Sequence, residues 1–132
     1  MNAQPNLGMQ VTTFDNPMGI DGFEFVEFAA PDGRAADLHA LFKRMGFSAV
    51  LKHKSRPITV YRKNGVNFLL TEDPDSFAAD FAKAHGPCAC GFAIRVTKPS
   101  AEVLKTVLGN GGEAMDLKEA SKVVDAPVVK GI

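Results

Sequence analysis

His39, His53 and His85, the pair Cys88 and Cys90, and the closely spaced Glu24 and Glu27 are side chains able to ligate a metal, attack an electrophile or carry a proton. The three histidines lie on separate segments, and none repeats at the His-x-x-x-His spacing that puts two imidazoles on one helical face. His53 stands in Leu51-Lys52-His53-Lys54-Ser55-Arg56, a basic run at a strand end that could meet an anion but reads more simply as a solvated turn. His85 precedes Gly86 at a helix end. A ligand role is open to it; the plainer role is an imidazolium against the last helical carbonyls. His39, inside a helix beside Leu38, reads as a surface residue.

Glu24 and Glu27 would work together in acid–base chemistry only on a shared face. Strand alternation puts them on opposite faces, so whichever points inward needs a partner such as Arg62 or Arg95. Cys88 and Cys90 are the only cysteines, too few for a disulfide framework or a metal site, and on a strand they read as small buried hydrophobes. Gly109-Asn110-Gly111-Gly112 looks like a phosphate cradle but follows a helix instead of opening one, so it reads as a helix end.

The elements that must position these residues follow from periodicity. Residues 1–17 are polar, with Pro5, Asn16 and Pro17, and predict a flexible arm ending in a turn. From Gly22, alternation in Phe23-Glu24-Phe25-Val26-Glu27-Phe28 predicts a strand largely buried on both faces. Asp32 is a candidate N-cap for a helix carrying Ala35, Leu38, Leu41, Phe42 and Met45, which ends at Gly46. Three strands should follow, Ser48 to His53, Ile58 to Arg62 and Val66 to Thr71, the last two joined through the hairpin signal Asn64-Gly65. A second helix with Phe77, Ala78, Phe81 and Ala84 should be capped by Asp75 or Ser76 and closed by Gly86. The pattern then restarts with a strand from Cys88 to Val96 and a helix from Pro99 to Leu108. Ala114 to Lys118 and Ala126 to Val129 are expected to form two further strands, with no room for a last one, so the second unit is expected to be incomplete.

A chain of 132 residues suits one domain with a real core. Basic and acidic residues number 15 each, so no net field draws the protein to nucleic acid or an anionic membrane. No apolar run approaches the roughly 20 residues needed to cross a bilayer. The opening Met1-Asn2-Ala3-Gln4-Pro5 has neither the basic nor the apolar region of a secretory signal, and the cytoplasm is the expected address.

Tandem strand-helix-strand-strand-strand units resemble the vicinal oxygen chelate superfamily, which includes glyoxalases, extradiol dioxygenases and antibiotic-binding proteins. Asn16-Pro17-Met18-Gly19, Gly22-Phe23-Glu24-Phe25-Val26-Glu27-Phe28, Met45-Gly46-Phe47, Val60-Tyr61-Arg62, Val66-Asn67-Phe68-Leu69-Leu70, His85-Gly86-Pro87 and Gly91-Phe92-Ala93-Ile94-Arg95-Val96 narrow this. In that order they resemble the N-terminal half of bacterial 4-hydroxyphenylpyruvate dioxygenases, as does Ala126-Pro127-Val128-Val129-Lys130-Gly131-Ile132, and the match covers residues 16 to 132. The resemblance implies an α+β fold of tandem βαβββ units forming an open barrel. Residues 18–132 would be one such domain, with a first unit over about 22–72, a linking helix over about 75–85 and a second unit from about 88.

What the resemblance implies about function is divided. A full enzyme of this family turns 4-hydroxyphenylpyruvate into homogentisate in tyrosine catabolism, using Fe(II) held by two histidines and a glutamate in its C-terminal domain; a similar relative makes hydroxymandelate. In metal-binding members of the superfamily, ligands come from the first and last strands of a unit. Here those positions fall at or beside Phe25, near Leu69 and near Gly91, and none of these side chains ligates a metal. The resemblance therefore implies no catalytic, cofactor or metal residue in this chain, and a structural role beside a catalytic C-terminal domain or a second copy of the chain. A homo-oligomer is expected, because an incomplete barrel leaves an open edge. Two other readings stand beside it: a stand-alone, metal-free small-molecule binder of the superfamily, and a glyoxalase-type metal enzyme.

Overall fold

The computed structural model of the chain describes residues 14–118 and 123–131. Most of the expected N-terminal arm lies outside those residues; the turn at its end lies within them. The Asn16 side chain clamps Ile20, its Oδ1 accepting from Ile20 N at 2.8 Å and its Nδ2 donating to Ile20 O at 3.0 Å.

Eight elements follow: β1 (Ile20–Ala29), α1 (Ala35–Arg44), β2 (Ser48–Lys52), β3 (Ile58–Lys63), β4 (Val66–Thr71), α2 (Phe77–His85), β5 (Cys88–Val96) and α3 (Ser100–Gly109). The strands form one sheet in the order β2-β3-β4-β1-β5. β1 runs parallel to β4, and every other neighbouring pair is antiparallel. This is the α+β arrangement expected, a βαβββ unit followed by the strand and helix of a second.

α1 has the apolar spacing of a core-facing helix. Leu38 and Phe42, one turn apart, are buried and sit with Phe47, Tyr61 and Leu70 in the main core cluster, against Phe28 and Phe68. The packing is aromatic: Phe47 stacks on Phe68 at 4.4 Å, and Phe42 meets Phe28 at 5.0 Å and Tyr61 at 5.3 Å, both edge to face. α2 lies on the other face of the sheet, where Ala78 and Ala82 close on Ala29 and Cys90. Its first turn is capped by the Ser76 hydroxyl, which accepts from Ala79 N at 3.1 Å, and it closes at Gly86 in the left-handed region at φ 79°. The β3–β4 hairpin turns at Asn64, whose φ of 53° is the conformation the Asn-Gly pair supplies.

Three expectations are corrected. Asp32 does not cap α1: it sits in the turn before the helix, and Arg34 occupies the N-cap position without a side-chain hydrogen bond. β1 is not buried along its length, since Phe23 is 61% exposed and only the half from Phe25 onward enters the core. Finally, Ala114–Lys118 and Ala126–Val129 contribute one antiparallel bridge, Ala114 with Val129, in place of two strands. Pro127 has no N–H to extend a ladder there, and Ala114, Asp116 and Lys118 are weak strand formers.

Candidate functional site

The register decides which residues stand level with Leu69 and Gly91, two of the positions singled out in the sequence. Leu69 pairs with Val60 on one side and with Glu27 on the other, and Glu27 pairs with Gly91. Val60, Leu69, Glu27 and Gly91 therefore form one row across four strands. Phe25, the position expected from the sequence, pairs with Ala93 two residues away along β1.

Glu27 is thus an acidic group at the centre of the sheet. Its Oε1 accepts a 2.6 Å hydrogen bond from the Thr71 hydroxyl, and its backbone carbonyl receives the Cys90 thiol at 3.6 Å. Burial raises its carboxyl above the ordinary glutamate range, while the Thr71 bond and the charge of Arg56 pull the other way. Arg56 is itself bonded to Asp73 at 2.8 Å, a contact that holds the Asp73 carboxyl below its usual range. A Cβ on Gly91 would stand 3.6 Å from Glu27 Oε2, an ordinary contact, so a side chain would fit there and its absence leaves space beside the carboxyl. This arrangement can hold a proton. It offers one oxygen donor to a metal, and among the described residues no three His, Cys, Asp or Glu side chains converge. Cys90 adds no nucleophile, because burial and the neighbouring Glu27 push its thiol up to about 12, and burial also raises Cys88.

The histidines do not meet. His53 remains at the exposed end of β2, where its Nδ1 accepts from the backbone of Ser55 at 3.3 Å and of Arg56 at 3.2 Å, shaping the turn. His85 lies against the Phe81 ring at 4.3 Å. His39, expected on the surface, instead bridges α1 to the sheet: Nδ1 is 2.6 Å from the Tyr61 hydroxyl and Nε2 is 3.0 Å from Glu72 Oε2. Its partners lie 22 and 33 residues away in sequence, so no local pattern signals them. Of the two glutamates on β1, the inward Glu27, for which an arginine partner was expected, takes Thr71 instead, while the exposed Glu24 lies 3.6 Å from Arg95.

On the sheet face opposite α1 lies a cleft of about 310 Å³. Phe25, Val60 and Leu69 line it, with Leu51 at one wall, and Val123 and Val124 of the C-terminal segment border it.

Comparison with known proteins gives a consistent set of likenesses. The family described as hydroxyphenylpyruvate dioxygenase, N-terminal, matches residues 14–132. A 4-hydroxyphenylpyruvate dioxygenase from a Pseudomonas species is 38% identical over 119 residues, 90% of this chain and 32% of that protein. A protein named hemolysin VllY from Vibrio vulnificus is 42% identical over 118 residues, 89% of this chain and 33% of its own. Among solved structures, a xylose isomerase-like TIM barrel/4-hydroxyphenylpyruvate dioxygenase fusion protein superposes with a TM-score of 0.76 at 32% identity, covering 92% of this chain and 20% of that one. The chain thus spans about a third of the length of the first two relatives. The likeness fixes the fold as the vicinal oxygen chelate type.

Proposed function

Because this chain belongs to the N-terminal domain family of hydroxyphenylpyruvate dioxygenases, we propose that it is the non-catalytic partner of a metal-bearing domain in an enzyme of that kind. The observation that carries the reading is the row Val60, Leu69, Glu27 and Gly91. Fe(II) oxygenase chemistry needs a facial set of ligands with open positions, and this row supplies one buried carboxyl and no imidazole. The residues do not fit the iron that the family implies, so no step is routed through it here. Fe(II), the 2-oxo acid and the conversion to homogentisate in tyrosine catabolism belong, in this reading, to a C-terminal domain.

The partner surface follows from exposure. Phe23 and Phe92 are 61% and 65% exposed although their rings meet edge to face at 5.5 Å, and Ile94, paired with Phe23, is 41% exposed. Exposed aromatic clusters of this sort mark contact surfaces, and β5 is an edge strand with one free side among the described elements. A catalytic domain or a second copy of the chain would cover them. We place a single domain over residues 18–132 and the protein in the cytoplasm; among the described residues no helix is long and apolar enough to cross a membrane.

The test is the iron content and activity of the 132-residue chain after anaerobic loading with Fe(II), beside an immunoblot of the native protein in its source cells. The expected result is iron far below one equivalent, no homogentisate from 4-hydroxyphenylpyruvate, and a native band about three times the 14.1 kDa of this chain. Stoichiometric iron with turnover would overturn the reading in favour of a self-contained metal enzyme. A native band at the size of this chain would turn it toward a stand-alone binding protein.

A further inference from the structure

We propose that the cleft on the sheet face opposite α1 binds a small apolar monocarboxylate, without metal and independently of the role assigned above. Its volume of about 310 Å³ falls at the lower end of the roughly 300–1,000 Å³ typical of small-molecule sites. Phe25, Val60 and Leu69 give it an apolar floor wide enough for one ring or a branched alkyl group. A ligand held by this floor alone would be unoriented. The rim supplies the polar end.

Arg62 lines the cleft and is pre-positioned. Its Nε donates to Asn67 Oδ1 at 2.7 Å, and Asn67 Nδ2 donates in turn to the backbone carbonyl of Glu24 at 3.0 Å. The guanidinium plane is therefore referred through Asn67 to the backbone of β1, and Nε is the only guanidinium nitrogen this chain of bonds uses. No carboxylate pairs with Arg62 among the described residues. A planar guanidinium with free N–H groups is the geometry that recognises a carboxylate by two parallel bonds. Lys52 and His53 line the opposite end of the cleft, since Lys52 pairs with Thr59 and Arg62 with Ser48 at the two ends of the β2–β3 pair. Glu24 is the one acidic group on the lining, and Arg95 lies 3.6 Å from its carboxylate. Arg62 is thus the cationic group at its end of the cleft, beside an apolar floor. That combination selects an anion with an apolar body and one carboxylate in preference to a phosphate ester or a polyanion, whose further charges would meet Leu51, Val60 and Val124.

The test uses the 132-residue chain, ¹⁵N-labelled, titrated with benzoate and separately with benzamide, which has the same shape without the charge. The expected result is saturable shifts of the Val60, Asn67, Leu69 and Val124 amides by benzoate, with half-saturation below about 5 mM and benzamide weaker by about tenfold or more. Arg62→Met should abolish that preference, bringing benzoate down to the level of benzamide. If Arg62→Met fails to fold, the benzoate–benzamide ratio on the unaltered chain still decides the matter. Equal affinities, shifts confined to the Arg95–Lys98 surface, or no shifts up to about 50 mM would overturn the proposal. So would concentration-dependent shifts of the same amides without ligand, since they would assign the cleft to contact with a second copy.

Discussion

The contact between Tyr61 and His39 allows a quantitative test of how α1 is tied to the sheet. Tyr61 is 1% exposed, and its only recorded hydrogen-bond partner among the described residues is His39, at 2.6 Å. Burial and the nearby charge of Glu72 raise the phenol above its ordinary range, so it remains a donor. A carboxylate at Glu72 only accepts, so the neutral imidazole carries its proton on Nε2 and leaves Nδ1 to receive the Tyr61 hydroxyl. The two single substitutions are then unequal. Tyr61→Phe frees His39 Nδ1, but the His39 side chain is 28% exposed and water can replace the donor, so the cost is about 1 kcal/mol. His39→Phe leaves the Tyr61 hydroxyl buried with no partner and no water, and should cost about 2 kcal/mol. The double variant removes both polar ends together and should cost about 2 kcal/mol in place of the summed ~3, a coupling of about 1 kcal/mol. Urea unfolding of the four proteins measures the cycle, and thermal midpoints should follow at about 3–5 °C per kcal/mol for a chain of this size. Additivity within about 0.5 kcal/mol would refute the pairing.

The Glu27 carboxyl carries a pH signature. Because its folded-state acidity is weakened by burial, the stability it contributes is fully present below the ordinary value of 4.5 and is lost as pH rises through the raised folded value. Glu27→Gln, which keeps an oxygen for Thr71, should match the parent near pH 4.5 and exceed it at neutral pH. Comparing the two at each pH cancels the opposite slope from Asp73, whose carboxyl Arg56 holds low. A parent that gains on the variant as pH rises would sink this account of Glu27. Phe42, 1% exposed and in ring contact with Phe28, Phe47, Tyr61 and Phe68, is the keystone of the α1 face. Phe42→Ala should cost about 3–5 kcal/mol in denaturant unfolding; a loss under about 1 kcal/mol would mean that α1 does not seal this core.

Local signals made most of the elements legible. Val66–Thr71 and Cys88–Val96 fall where alternation placed them, Leu38 and Phe42 face the core as helical spacing requires, and Asn64-Gly65 makes the turn it encodes. What was hidden depends on partners remote in sequence. β1 carries irregularities against β5 that its apolar pattern does not announce, and the residue level with Leu69 and Gly91 could be found only once the strands were paired. His39 looked like a surface residue because its neighbours in sequence do not include Tyr61 or Glu72. The C-terminal segments had apolar residues enough for strands, but Pro127 limits them to a bridge, a cost that the apolar pattern alone does not register.

The register of β1 sharpens the functional reading. With Phe25 in the row, the level would hold no donor at all and the case against a metal would rest on chemistry that is simply missing. With Glu27 in the row, a donor is present, and its environment becomes the argument. Burial raises the Glu27 carboxyl above the ordinary glutamate range, and the Thr71 hydroxyl already occupies one of its oxygens. To recruit an ion, the row would need a second and third donor at Leu69 and Gly91 whose charge draws the metal and whose ligation repays the desolvation of all three. Replacing those two positions by His and Glu is therefore the minimal change that would create a site at this level.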